Sequence, residues 1–228
     1  MRLTVFVIFN ILFSTLVVAA CKDTVVLVHG NTASISSWNT TVNLLQANGY
    51  SSNQISRPNW GSKTCATCNN HSGSEETPVR NAISNAIANS CTGKIDVIGH
   101  SMGATLAAQQ IIKLNVQNKV DTFVGIAGAF RGLWSCGYYP FNVWNSTCGS
   151  QGLSVNSPFV NSLKNKNLAT KTYSIKSWMD QIVCSTGTCS VNGKHSSRID
   201  TQNSSYTFAL GHFGLQSQTA QTQLNLIN

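Results

Sequence analysis

Five residues constrain this chain more than any others: Gly99-His100-Ser101-Met102-Gly103. They are entered from a β-branched run, Lys94-Ile95-Asp96-Val97-Ile98, and left by an Ala- and Ile-rich stretch that keeps helical spacing to about Val116. A strand that turns at once into a helix sends the chain back across its own sheet, which is how parallel sheets are built. The serine at the centre sits on a turn so sharp that glycines two residues to either side are needed to leave room for the neighbouring chain. The same strain pushes its Oγ out of the sheet. The bare pattern G-x-S-x-G arises often by chance. Its placement between a strand and a helix makes Ser101 a candidate nucleophile.

The rest of the chain repeats the alternation. Thr24–Val28 is a short apolar run that stops at His29-Gly30 and reads as a buried parallel strand. Ser34–Gln46 reads as a helix closed by Asn48-Gly49, and Tyr50–Arg57 as a second strand. Gly61–Gly73 is polar, carries Cys65 and Cys68, and reads as a loop. A helix opens at Thr77-Pro78, favoured by Glu75 and Glu76, and runs to about Ser90. Val120–Ala127 is a further strand, and Tyr173–Lys176 and Tyr206–Ala209 are shorter ones. Strands alternating with helices predict an α/β class with a central, mostly parallel sheet and helices on both faces.

A serine hydroxyl needs a base, and the base needs an orienting group. Of five histidines, His29 and His100 are locked beside glycines, and His71 and His195 lie in polar, Lys- and Ser-rich stretches. His212 alone follows a strand-like run near the C-terminus, in Leu210-Gly211-His212-Phe213-Gly214, and is the candidate base. Among seven acids, Asp23, Asp96 and Asp121 stand at or near strand starts, away from the edge where Ser101 emerges. Asp180 follows the strand Tyr173–Lys176 and is the candidate orienting carboxylate; Asp200 is the remaining alternative. The backbone amides of Met102, after the nucleophile, and Asn31, after the first strand, are the candidate oxyanion donors.

Four blocks carry a resemblance: Val-Val-Leu-Val-His29-Gly30-Asn31, Gly99-His-Ser-Met-Gly103, Ser177-Trp-Met-Asp180-Gln-Ile-Val183 and Gly211-His212-Phe213-Gly214. In this order, across residues 24–215, the chain resembles the small class 2 lipases, a family of α/β-hydrolases. The resemblance implies hydrolysis of acylglycerols or short-chain esters without a cofactor. It also implies Ser101, Asp180 and His212 as the triad, with the Asn31 and Met102 amides as oxyanion donors. Two rivals stay open: a carboxylesterase or acyltransferase for small soluble esters, and a non-catalytic lipid-binding protein on a hydrolase scaffold. Cysteine-bearing segments at 63–73, 131–150 and 184–195 depart from the minimal pattern and are expected to shape the acyl pocket.

Residues 1–20 are not read as fold. Arg2, the apolar run Val5–Val18 and the small pair Ala19-Ala20 read as a secretory signal, which makes residues 21–228 one catalytic domain with an aromatic insert at about 129–150. An uncleaved anchor and a lipid-modified Cys21 are the alternatives. Eight cysteines, all after residue 20, favour full pairing in a secreted protein over a lipoprotein. The expected pairs are Cys21–Cys91, Cys65–Cys68, Cys136–Cys148 and Cys184–Cys189; Cys21–Cys91 rests on strands 24–28 and 94–98 being parallel neighbours. No metal is expected: Cys65-x-x-Cys68 lacks a second ligand pair at zinc spacing. Sequons at Asn39, Asn70, Asn145 and Asn203 are glycosylation candidates. The net charge of +8 is scattered, with no aromatic-interleaved stripe for nucleic acid. The expected partner is an ester or lipid substrate met as a monomer, at a lipid–water interface if the cluster Phe130, Trp134, Tyr138, Tyr139, Phe141 and Trp144 forms a rim or partial lid rather than core.

Overall fold

The computed structural model describes residues 21–228, so the leader expected over residues 1–20, and its reading as an anchor, lie outside the described residues. The elements are β1 (Thr24–Val28), α1 (Asn39–Ala47), β2 (Ile55–Ser56), α2 (Glu76–Asn89), β3 (Ile95–His100) and α3 (Met102–Leu114). They continue with β4 (Val120–Ile126), β5 (Leu133–Tyr138), β6 (Ser154–Val155), α4 (Pro158–Leu163) and β7 (Lys171–Lys176). The chain ends through β8 (Ser190–Val191), β9 (Lys194–His195), β10 (Ser204–Thr207), α5 (His212–Ser217) and α6 (Ala220–Ile227).

Six strands form one sheet in the order β10-β7-β4-β3-β1-β2, and every pairing in it is parallel. Alternation along each strand divides the core into two layers. Val26, Val28, Ile95, Val97 and Phe123 face α2 and α3, meeting Val79, Ile83, Leu106 and Ile111. Val25, Leu27, Ile98, Val124 and Ile126 face the other way, onto Trp38 and Leu45 beside α1 and Leu224 and Ile227 of α6. A strand buried on both sides must be largely apolar, which is why β1 after Thr24 is an unbroken aliphatic run. The strands point their C-terminal ends at one edge, where β3 meets α3.

Three elements differ from the sequence expectation. The first helix begins at Asn39; Ile35–Trp38 make a tighter 3-10 turn that buries Trp38. The second strand shrinks to Ile55–Ser56, because the Ser51 N–H donates to Gln54 Oε1 at 3.0 Å and coils residues 52–54 into a turn. The last strand lies at Ser204–Thr207, drawn two residues earlier by its register with Tyr173–Lys176. Four disulfides close Cys21–Cys91, Cys65–Cys68, Cys136–Cys148 and Cys184–Cys189. Cys21 is thereby bonded to protein sulfur, which contradicts the lipid-modified alternative. β1 and β3 pair with Thr24 opposite Ile95, one residue off the equal offset expected, and the two Cα atoms of Cys21 and Cys91 stand 6.0 Å apart.

Candidate active site

Ser101 joins β3 to α3 with φ 54° and ψ −132°, a backbone state that L-residues rarely adopt and that stores about 1–3 kcal/mol. The turn survives because its surroundings dictate it. The Ser101 N–H donates to the Ile126 carbonyl at 2.8 Å, tying the turn to the end of β4. A Cβ on Gly99 would lie 2.4 Å from Ala104 Cα, and one on Gly103 would lie 2.0 Å from the His29 carbonyl oxygen. Both glycines are therefore steric requirements of the bend.

His212 opens α5 and is almost wholly buried. Its Nδ1 lies 2.8 Å from Asp180 Oδ2 and 2.9 Å from Oδ1. With Nδ1–H donated to the carboxylate, Nε2 is left as an acceptor. Asp180 is fully buried in the loop after β7, and its Oδ1 also accepts the N–H groups of Ile182 and Val183, each at 2.9 Å. Burial by itself would push the Asp180 carboxyl up. The His212 ring and the two amides outweigh burial and hold it below the usual carboxylate range, so it stays charged. Asp200 is elsewhere: it pairs with Arg131, and its Oδ2 accepts the Asn165 N–H at 3.3 Å. No hydrogen bond joins the Ser101 hydroxyl to His212 among the described residues; contacts of this kind tighten when substrate arrives.

Two residues outside the proposed triad hold His212 in place. His100 Nε2 donates to the His212 carbonyl at 3.0 Å, and burial keeps the His100 ring neutral, with a pKa near 3. Gln181 Oε1 accepts the His212 N–H at 2.9 Å. His71 and His195, read as loop histidines, are both buried. His71 stacks on Phe159 and bonds Thr105 Oγ1 at 2.8 Å; His195 Nε2 donates to the Ser177 carbonyl at 2.9 Å, bracing the loop that carries Asp180. No local signal marks these roles, since each partner lies far along the chain.

Asn31 is pinned by the Cys65–Cys68 ring. Its Nδ2 donates to the Ala66 carbonyl at 2.8 Å, and its Oδ1 accepts from Asn69 Nδ2 at 2.6 Å. Met102 is the first residue of α3, so its N–H has no partner within the helix. Beside Ser101 lies a cavity of about 240 Å³ whose walls include Asn31, Ala66, Met102, Leu133, Leu153 and Ile182. Segments 63–73 and 131–150 both contribute to it; segment 184–195 instead backs the Asp180 loop. The aromatic insert divides. Phe130 is core, whereas Phe141 and Trp144 are 89% and 97% exposed. A larger cleft of about 640 Å³ follows Tyr139, Pro140 and Trp144 on the outer side of the insert and touches neither Ser101 nor His212.

A parallel sheet with helices on both faces, and a strained serine between the third strand and its helix, define an α/β-hydrolase. The sequence matches the model of the family described as Lipase (class 2) over residues 22–225, and the chain belongs to that family. Membership makes it an ester hydrolase of the lipase and esterase kind. No curated protein sequence matches the chain. Among solved structures, a Bacillus licheniformis lipase in its mature form is 14% identical with a TM-score of 0.65, covering 91% of this chain and 93% of that one. Aspergillus fumigatus lipase B is 18% identical with a TM-score of 0.61, covering 87% of this chain and 50% of its own, so this chain spans about half its length. A hyperthermophilic esterase from Pyrobaculum calidifontis is 16% identical with a TM-score of 0.56, covering 89% and 77%. At such identities these likenesses speak for the fold alone.

Proposed function

We propose that the protein is a secreted, monomeric serine esterase or lipase that cleaves carboxylic esters of acylglycerols or related lipids through an acyl-enzyme. The observations that carry the reading are the buried Asp180–His212 pair and a strained Ser101 at the mouth of a cavity. In this scheme His212 Nε2 takes the Ser101 proton as Oγ attacks the ester carbonyl. The Asn31 and Met102 amides meet the developing oxyanion, an effect worth about 3–4 kcal/mol per donor in comparable sites. His212 then protonates the leaving alcohol, and water activated by the same ring releases the acid. Asp180, kept charged, holds the imidazole tautomer and stabilises the imidazolium. No step calls for a metal or cofactor.

Four disulfides fit an oxidising compartment, with residues 1–20 as the signal and 21–228 as one catalytic domain. Asn39 and Asn203 are exposed and are the favoured glycan acceptors; Asn70 and Asn145 are half-buried. Exposed Phe141, Trp144, Trp178 and Phe213 favour contact with a lipid surface, and the modest cavity favours short to medium acyl chains. The test is a p-nitrophenyl ester panel from two to sixteen carbons, with substrate below and above its micelle threshold. Cleavage that vanishes in Ser101→Ala supports the scheme. Unchanged cleavage in that variant, or no fluorophosphonate labelling of Ser101, rejects it.

A further inference from the structure

Three of the seven acidic residues in this basic chain converge at the opposite end of the sheet from Ser101. Oxygens of Asp23, Asp96 and Asp121 all lie within 4.8 Å of one another. The sheet register explains how. Asp23 immediately precedes β1, whose Val25 pairs with Asp96 of β3, and Asp96 pairs in turn with Thr122 of β4. Side-chain alternation puts Asp23, Asp96 and Thr122 on the face that also packs α1 and α6. Asp121 would point to the other face. A register shift opposite Ile95 and Asp96 leaves it as the unpaired residue of a bulge, a device that re-aims a side chain.

Asp96 is wholly buried. Its Oδ1 accepts the Thr122 N–H at 3.1 Å, but its Oδ2 makes no hydrogen bond of good geometry, and the buried Thr122 hydroxyl beside it offers only a marginal one. A buried carboxylate oxygen without a good donor is among the least favourable arrangements in a protein interior. The surroundings supply little cationic relief. Lys171 reaches Asp121 Oδ2 at 3.4 Å from the outside, and Thr92 donates to Asp23.

We propose that Asp23, Asp96 and Asp121 form a calcium site at the N-terminal edge of the sheet, with the orphaned Asp96 Oδ2 as its buried ligand. Every donor there is oxygen, which selects hard cations over zinc or copper. Two sides of the cluster are half-exposed, so ion entry is open and water can complete a flexible shell of the kind calcium accepts and magnesium resists. Asp96 is near the start of β3 and Ser101 follows its end five residues on, roughly 16 Å away, so the ion is structural. It would clamp three strand starts and lie beside the Cys21–Cys91 bridge.

The test uses the full secreted chain after chelation and dialysis. Calorimetric titration with CaCl₂ should show one calcium per chain, and the melting temperature should climb with each tenfold step in calcium above Kd. Asp96→Asn and Asp121→Asn, near-isosteric and separately made, should each weaken binding at least tenfold while ester cleavage stays unchanged. Absence of stoichiometric binding, binding unaltered in both variants, or magnesium bound as tightly as calcium would overturn the assignment. An Asp96 that simply holds a proton gives the first of these results, with Asp96→Asn as stable as the parent in EDTA and in calcium alike.

Discussion

Removing the Ser101 hydroxyl leaves the strained turn and the cavity in place, so Ser101→Ala should lower kcat by about 10⁴-fold or more with an unchanged melt. His212→Ala should match it. Asp180→Asn keeps the shape but cannot hold the imidazole tautomer, and a loss of about 10⁴-fold in kcat is expected. Asp200→Asn is the informative contrast. Its carboxylate partners Arg131 rather than His212, so the variant should lose thermal stability and keep kcat. Kinetics on a soluble ester beside differential scanning calorimetry separates the two carboxylates. Gly103→Ala belongs to another class: a methyl 2.0 Å from the His29 carbonyl forces β1 and α3 apart, and soluble folded protein should not be recovered.

Pairs of elements are held by contacts distant in sequence. The Cys65–Cys68 ring and Asn69 grip the Asn31 side chain, and so set the loop whose amide is the proposed oxyanion donor. Asn69→Ala leaves Asn31 Oδ1 without its donor, an omission worth about 1–3 kcal/mol. The expected outcome is a kcat lowered roughly tenfold or more with KM little changed, read from steady-state kinetics. At the far edge, the Cys21–Cys91 bridge closes a loop of 70 residues and contributes about 4 kcal/mol in the chain-entropy model. The Cys21→Ser/Cys91→Ser double variant should melt well below the parent and retain kcat, because the bridge lies at the opposite edge from Ser101. Equal losses of both would contradict that separation.

Across the whole molecule, burial decides the acid limit of stability. His29, His71 and His100 are pushed down to about 4, 3 and 3, chiefly by desolvation, whereas the unfolded chain titrates near the ordinary histidine value. Between those values the unfolded state holds more protons than the folded one, so stability rises with pH and is lost as pH falls below about 6.5. Each such histidine contributes about 1.4 kcal/mol per pH unit in that window. The melting temperature should therefore drop steeply from pH 6.5 to 4.5, and His71→Gln, where it folds, should flatten the slope. A melt independent of pH over that range would mean these rings are not buried as described. Local sequence determined a good deal on its own: the parallel strands and the serine turn, and the candidacies of the Asn31 loop and of His212, each follow from a few neighbouring residues, because periodicity, glycine sterics and chain order act over short distances. Burial and long-range pairing do not. His71 and His195 look solvent-facing until the insert and the Asp180 loop close over them. Chain order favours Asp180 over Asp200 without excluding the second, and only the fold shows His212 meeting the one and Arg131 the other. Asp23, Asp96 and Asp121 read as separate strand-start acids, and only sheet register and one bulge bring them together. Charges separated by 25 to 98 residues interact only once the fold has spanned that separation, and no local pattern encodes which of them will meet.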